Sequence, residues 1–223
     1  MAWLDHAAGE AGRIVVNGDL FDFWFEYLWG TTGGYEPVLA RLKAIVDAGV
    51  PITLMGGNHD WWGGRFLTDE IGMEFLRAPV VRELGGRTTL LAHGDGLGNG
   101  DLGYRLIRPV LRSPLACWCF RLLPPALGDR IAGRASRTEH RWSEPSPRQR
   151  QRSNALENWA VETLHARPEL DLIVLGHAHV PTFREVGPGR WYVNAGDWVF
   201  RRTYLILEEG RPPLLTEWGE PCA

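Results

Sequence analysis

With 223 residues, 44% of them hydrophobic, the chain is long enough to bury one substantial core and falls in the size range of a single domain. A formal charge of -3 and a pI near 6.2 exclude the overall basicity of a protein that coats nucleic acid. Three cysteines, Cys117, Cys119 and Cys222, fit neither a disulfide framework nor paired zinc spacing, which suits a reduced, cytosolic setting.

In chain order, short apolar runs ending in Gly, Asn, Asp or His predict buried strands at Arg13 to Asn17, Pro51 to Met55, Thr88 to Ala92, Leu172 to Leu175, Trp191 to Asn194 and Tyr204 to Leu207. Between the first two, Val38, Leu42, Ile45 and Val46 recur at helical spacing, with Pro37 at the entry and Gly49 at the exit. A strand, helix, strand unit results. From Asp101 to Pro147 the pattern changes to amphipathic helical pieces broken by prolines, and a long helix then runs from Arg148 to Leu164. The stretch from Asp101 to Ala155 holds eleven arginines against four acidic residues, so the mild average charge hides a basic surface. The expected organisation is one domain over 1–223 carrying a helical cap insertion at 101–147. No run nears the ~18 apolar residues that would cross a bilayer, and the opening Met1 to His6 resembles no leader peptide, so a soluble or peripherally attached protein is expected.

Four polar clusters follow predicted strands, where α/β folds assemble their sites. They are Gly18-Asp19-Leu20-Phe21-Asp22, Gly57-Asn58-His59-Asp60, His93-Gly94-Asp95 and Gly176-His177-Ala178-His179. Taken singly, each could be a turn with capping side chains. Together they offer carboxylate, amide and imidazole donors, a set that suits Mn²⁺ and related divalent ions better than the thiolate cages of structural zinc. Two such ions would place positive charge on the oxygens of a phosphoester and supply a hydroxide at neutral pH.

The clusters, in this order, resemble the calcineurin-like metallophosphoesterases. The string from Asp19 to Tyr27, His93-Gly94-Asp95-Gly96-Leu97-Gly98 with Asp101 and Gly103-Tyr104, Ser136-Arg137, and Asn194-Ala195-Gly196-Asp197-Trp198 are similar to the UDP-2,3-diacylglucosamine diphosphatase branch. The resemblance implies an α/β/β/α sandwich with a helical cap and two divalent ions, Mn²⁺ expected. Asp19 would bridge the ions, Asn58, His93 and His177 would bind one, and His179 would reach the other. It further implies His59 as the group that protonates the leaving oxygen or stabilises charge there, with Asp22, Asp60 and Asp95 supporting the ligands. Asp101, Ser136, Arg137 and Arg141 are implied as substrate contacts.

The implied reaction is hydrolysis of a UDP-linked, doubly acylated glucosamine to UMP and the acylated sugar 1-phosphate. That is a step of lipid A synthesis on the cytoplasmic face of the inner membrane, with a lipid-linked nucleotide rather than nucleic acid as partner. The insertion agrees, since it mixes Arg105, Arg108, Arg112, Arg130, Arg134, Arg137 and Arg141 with Leu106, Ile107, Leu111, Trp118, Phe120, Leu122 and Leu123. The plainer reading of that mixture is a helical hairpin whose Leu and Trp side chains pack on the sheet. Cys117 and Cys119 are expected to fill core, Phe23, Trp24 and Phe25 to pack, and His140 and His165 to lie at the surface. Two alternatives stand beside the main reading: a phosphoesterase for another phosphoester or nucleotide, and a binding protein without a complete first metal site.

In the family an Asp-x-His on the first strand supplies most ligands of the first metal, and no such spacing precedes Asp19. Asp5-His6 is adjacent and leads into Ala7-Ala8-Gly9, which does not suit the loop after a strand. The first strand is therefore expected to be missing from this chain, with the true start lying upstream.

Overall fold

Apolar runs that end in Gly, Asn or His become parallel strands because the run can be buried on both faces while its polar terminus reaches the sheet edge. The computed structural model describes residues 1–100, 102–135 and 145–219 and divides the chain into two units, Met1–Ala78 with Leu106–Thr138, and Pro79–Arg105 with Glu139–Ala223.

The first unit opens on α1 (Ala2–Glu10) and β1 (Ile14–Val16), followed by a short hairpin of β2 (Glu26–Tyr27) and β3 (Gly30–Thr31). Next come α2 (Glu36–Asp47), β4 (Ile52–Met55), a single π turn at Phe66–Glu70 and β5 (Glu74–Leu76). β1, β4 and β5 form a parallel three-stranded sheet with β4 central, Val15 opposite Thr53 and Leu54 opposite Phe75. α2 begins with Pro37 in its first turn and buries Leu39, Leu42 and Ile45 against Ile14, Ile52 and Leu54. Leu42 and Ile45 are removed from water almost completely, and burial of such a side chain contributes about 2 kcal/mol. Phe21 stacks on Trp24 with ring centroids 4.6 Å apart, and both are buried in this core.

The same unit holds most of α3 (Leu102–Leu111), α4 (Pro114–Arg121) and α5 (Pro125–Ala135). Ser113 caps α4 by accepting the Ala116 N–H, with Pro114 at the first helical position. Phe120 of α4 packs on Phe25 and Tyr27, with centroids 4.9 Å and 5.9 Å away, yet no residue of α4 is fully buried. Leu106, Ile107, Leu111, Trp118 and Leu122 are exposed, so the plainer reading of a hairpin packed through its Leu and Trp side chains does not hold for them. Cys119 is likewise exposed, on the outward face of α4, and only the half-buried Cys117 resembles the expected core filler.

α5 is fastened to the hairpin at Tyr27, whose hydroxyl donates to Asp129 Oδ1 at 2.8 Å. Burial, and then this bond to a carboxylate, hold the Tyr27 hydroxyl well above its ordinary pKa. The helix comes this close because residue 128 is glycine: a Cβ there would lie 2.5 Å from Tyr27 Cε1 and 2.6 Å from Cζ. Gly128→Ala is expected to destabilise the protein by about 2 to 3 kcal/mol, since a buried aromatic ring cannot yield as a flexible chain would. Gly133→Ala on the same helix meets open space and is expected to be neutral or to gain about 0.5 kcal/mol. Thermal melts of the two variants compare them directly.

The second unit is built on a five-stranded sheet in the order β6 (Val80–Leu84), β7 (Arg87–Leu91), β8 (Leu172–Leu175), β10 (Arg190–Asn194), β9 (Thr182–Gly187). β7, β8 and β10 run parallel, and β6 and β9 pair antiparallel at the two edges. α6 (Pro147–Ala166) starts with a capping box between Ser146 and Gln149 and buries Leu156, Ala160 and Leu164 against Ile173, Leu175 and Tyr192. His165 lies exposed in its last turn. A second hairpin, β11 (Thr203–Ile206) with β12 (Leu214–Glu217), completes the unit. Among the described residues no helix is long and apolar enough to cross a membrane.

Candidate metal centre

Each of the four clusters follows a parallel strand, at the end where the chain leaves the sheet: β1, β4, β7 and β8. In the first unit, Asp19 sits just past β1 with φ 54°, a left-handed conformation that costs a non-glycine residue about 1 to 2 kcal/mol. Its neighbours hold it there. Asp19 Oδ1 accepts the His59 N–H at 2.9 Å, joining the loop after β1 to the loop after β4. Asp60, with no exposed surface, accepts the N–H groups of Leu20 at 2.7 Å, Gly57 at 2.7 Å and Asp19 at 3.3 Å. One buried carboxylate therefore organises both loops from beneath.

Asn58 and His59 are half-buried beside Asp60. His59 Nδ1 lies 2.7 Å from the Asp22 carbonyl oxygen, which can only accept, so the ring carries a proton on Nδ1 and Nε2 becomes the atom open to proton exchange. Asp22 thus supports the site through its main chain, while its side chain is exposed. The sequence places Gly57 in its cluster but gives it no role; a Cβ there would collide with Asp19 Oδ1 and lie 2.6 Å from the Asp19 amide nitrogen. Only glycine leaves room for the carboxylate.

In the second unit, His93 and His177 are buried, with ring centroids 5.2 Å apart and the rings edge to face. His177 and His179 both have positive φ, 64° and 57°, and the intervening Ala178 N–H donates to Gly176 O at 2.7 Å. This tight turn lets the two imidazoles diverge, as two extended residues could not. Gly176 is held in turn: its N–H donates to His93 O at 2.8 Å, and its carbonyl accepts Asn194 Nδ2 at 2.7 Å. Asn194, fully buried at the end of β10, is a scaffold residue that apolar patterning does not reveal; its signal is an Asn closing a strand before the Gly196 turn. Asp95 is buried two residues past His93, and the Tyr104 ring lies 6.3 Å from that of His177.

The donor types suit a divalent ion: a carboxylate fixed by main-chain bonds, an amide, and imidazoles buried side by side, with no thiolate among them. The glycine cradle around Asp19 and the adjacent rings of His93 and His177 are arrangements that apolar packing alone does not require. Asp101, Ser136, Arg137 and Arg141 lie outside the described residues.

The family model for calcineurin-like phosphoesterases matches residues 1–181. The chain is similar to a UDP-2,3-diacylglucosamine hydrolase of Pseudomonas putida, 32% identical over 212 residues that cover 92% of this chain and 85% of that one. It is also similar to a UDP-2,3-diacylglucosamine hydrolase of Porphyromonas gingivalis, 28% identical over 220 residues, 93% of this chain and 84% of that one. Among solved structures, a Vps29 double mutant from Entamoeba histolytica aligns over 94% of this chain and 77% of its own, with a TM-score of 0.43 and 14% identity. Enzymes of the matched family use divalent metal ions. With the match spanning four fifths of the sequence and all four loops that carry the polar clusters, the chain belongs to the calcineurin-like phosphoesterase family, as a metal-dependent hydrolase with the α/β metallophosphoesterase fold.

Proposed function

We propose that the protein hydrolyses the pyrophosphate bond of UDP-2,3-diacylglucosamine to UMP and 2,3-diacylglucosamine 1-phosphate, using two divalent ions, with Mn²⁺ as the resident metal. The observation that carries this reading is similarity to hydrolases of that substrate over more than nine tenths of the chain. Asp19, Asn58, His93, His177 and His179 are the proposed ligands. Bound ions supply positive charge that offsets the charge building on the phosphoryl oxygens.

The chain's own groups do the rest. Asp60 keeps Asp19 aimed by fixing the amides on both sides of its loop, and Asp22 fixes the His59 ring through Nδ1. Once Nε2 has also taken up a proton, His59 donates that proton, or a hydrogen bond from it, to the leaving phosphate oxygen. Asp95 supports His93 within its loop, and Asp101, Ser136, Arg137 and Arg141 contact the substrate. The exposed apolar side chains of α3 and α4, interleaved with Arg105, Arg108 and Arg112, support a face that meets acyl chains and lies against the inner membrane. Trp29, 74% exposed at the tip of the β2–β3 hairpin, adds to it, because the Leu28 N–H donates to Arg121 O and sets the hairpin beside the end of α4.

Purified protein with Mn²⁺ should release UMP from UDP-2,3-diacylglucosamine, and should turn over bis-p-nitrophenyl phosphate far more slowly. Equal or faster hydrolysis of the generic diester would favour a phosphoesterase with another substrate.

A further inference from the structure

Within the second unit, one buried residue joins the two buried histidines through its main chain. The Gly176 N–H donates to His93 O at 2.8 Å, and the Gly176 carbonyl leads directly into His177. That carbonyl takes two donors, the Ala178 N–H and Asn194 Nδ2, each at 2.7 Å. The first of these bonds spans only two residues and closes a γ-turn with His177 at its centre. With φ at 64°, this is the form of the turn that L-residues adopt rarely and under strain. Such a conformation persists only where its surroundings over-determine it.

Asn194 supplies that restraint from the neighbouring strand. It has no exposed surface, and the parallel pairing of β10 with β8 sets it opposite Leu175, the residue before Gly176. Its Oδ1 accepts the Gly196 N–H at 3.0 Å, which leaves Nδ2 as the end that faces the Gly176 carbonyl. The loop behind it is closed at the neck. Thr203 Oγ1 donates to Ala195 O at 2.5 Å, and Gly196 takes φ 82° where a Cβ would lie 2.5 Å from Pro181 Cγ. The amide therefore has one orientation and a fixed base. A carbonyl held by it cannot swing away, and rotation of that peptide plane is the motion by which His177 would unwind into ordinary backbone.

We propose that Asn194 is a positioning residue for metal binding: by holding the Gly176 carbonyl it keeps His177 in the γ-turn, and through Gly176 it fixes the spacing of His177 from His93. The inference rests on His93 and His177 as ligands of a divalent ion, as proposed above. It adds a side chain that sets the affinity for the ion without touching it.

Binding of Mn²⁺ to the full-length protein stripped of metal, read from the electron paramagnetic resonance of the free ion, tests this apart from turnover. Asn194→Ala should bind Mn²⁺ about 10- to 100-fold more weakly than the parent, the usual effect of removing a group that orients a ligand. Val193→Ala controls for damage to the same strand. Val193 is also fully buried, on the opposite face of β10, so its truncation should lower Tm yet leave Mn²⁺ affinity within about twofold. Should Asn194→Ala fail to fold, Asn194→Ser carries the same expectation, because its hydroxyl is too short to reach Gly176 in place of the amide. A folded Asn194 variant that binds Mn²⁺ as the parent does, or an equal loss in Val193→Ala, would overturn the positioning role. His177→Ala separates the two levels of the argument: weakened binding there beside normal binding in Asn194→Ala removes Asn194 alone, whereas normal binding in His177→Ala removes the ligand assignment and this inference with it.

Discussion

Asp19→Asn is expected to lower kcat/KM for phosphoester hydrolysis by about a thousandfold or more while leaving the fold intact. Charge stabilisation by a bound divalent ion is worth several kcal/mol in a phosphoryl transition state, and each 1.4 kcal/mol is a factor of about ten in rate. Asparagine keeps an oxygen where Asp19 Oδ1 receives the His59 N–H and tolerates the left-handed backbone at φ 54°, so the structural loss is small. Alanine removes that acceptor as well, and Asp19→Ala should therefore be equally inactive but less stable. Melting curves, metal content and turnover measured on both variants separate the two effects. A variant that retains even a tenth of the activity would remove Asp19 from the proposed ligand set.

Asp60→Ala should act the other way, through the fold first. Three main-chain N–H groups converge on this fully buried carboxylate, and bonds to a charged acceptor contribute about 1.5 to 3 kcal/mol each when the alternative is an unsatisfied buried donor. Some of that loss is recovered by relaxation and water entry, which leaves about 3 to 5 kcal/mol, a large part of a typical domain stability of roughly 5 to 15 kcal/mol. A fall in Tm of roughly 10 °C follows for a chain of this size. Asp60→Asn keeps one acceptor oxygen but turns an amide toward the remaining N–H groups, so about half the loss is expected. In either variant that still folds, activity should drop by about 10- to 100-fold, because the loops carrying Asp19 and Asn58 are no longer held in register. Normal melting of Asp60→Ala would mean that the loops are fixed by other contacts.

The strands that precede the four polar clusters were legible in the sequence because parallel strands buried on both faces are nearly pure apolar runs, as Ile52–Met55 and Leu172–Leu175 are. The strands that were not anticipated lie where that signal fails. β9 is an edge strand with Arg184 and Glu185 exposed, β5 is only three residues long, and β6, Val-Val-Arg-Glu-Leu, alternates in burial but not in polarity before the Gly85-Gly86 turn, whose positive φ angles of 56° and 70° mark a hairpin that pattern reading passed over. At the candidate site, the carboxylate, amide and imidazole donors could be read from four motifs after strands. What the motifs do not carry is the backbone that aims them: the space left by Gly57, the triple acceptance by Asp60 and the Asn194 bond to Gly176 depend on pairs up to 41 residues apart in the chain.

Asp19, His177 and His179 share one property, a main chain wound in the sense that L-residues resist. Glycine would relax all three positions at once, so heat tolerance and chemistry pull in opposite directions there. A library of this protein selected only for survival on heating should accumulate changes that loosen these turns and silence the enzyme, whereas selection on turnover would keep the tension. The tightly coiled loops are thus a record of which demand shaped the chain.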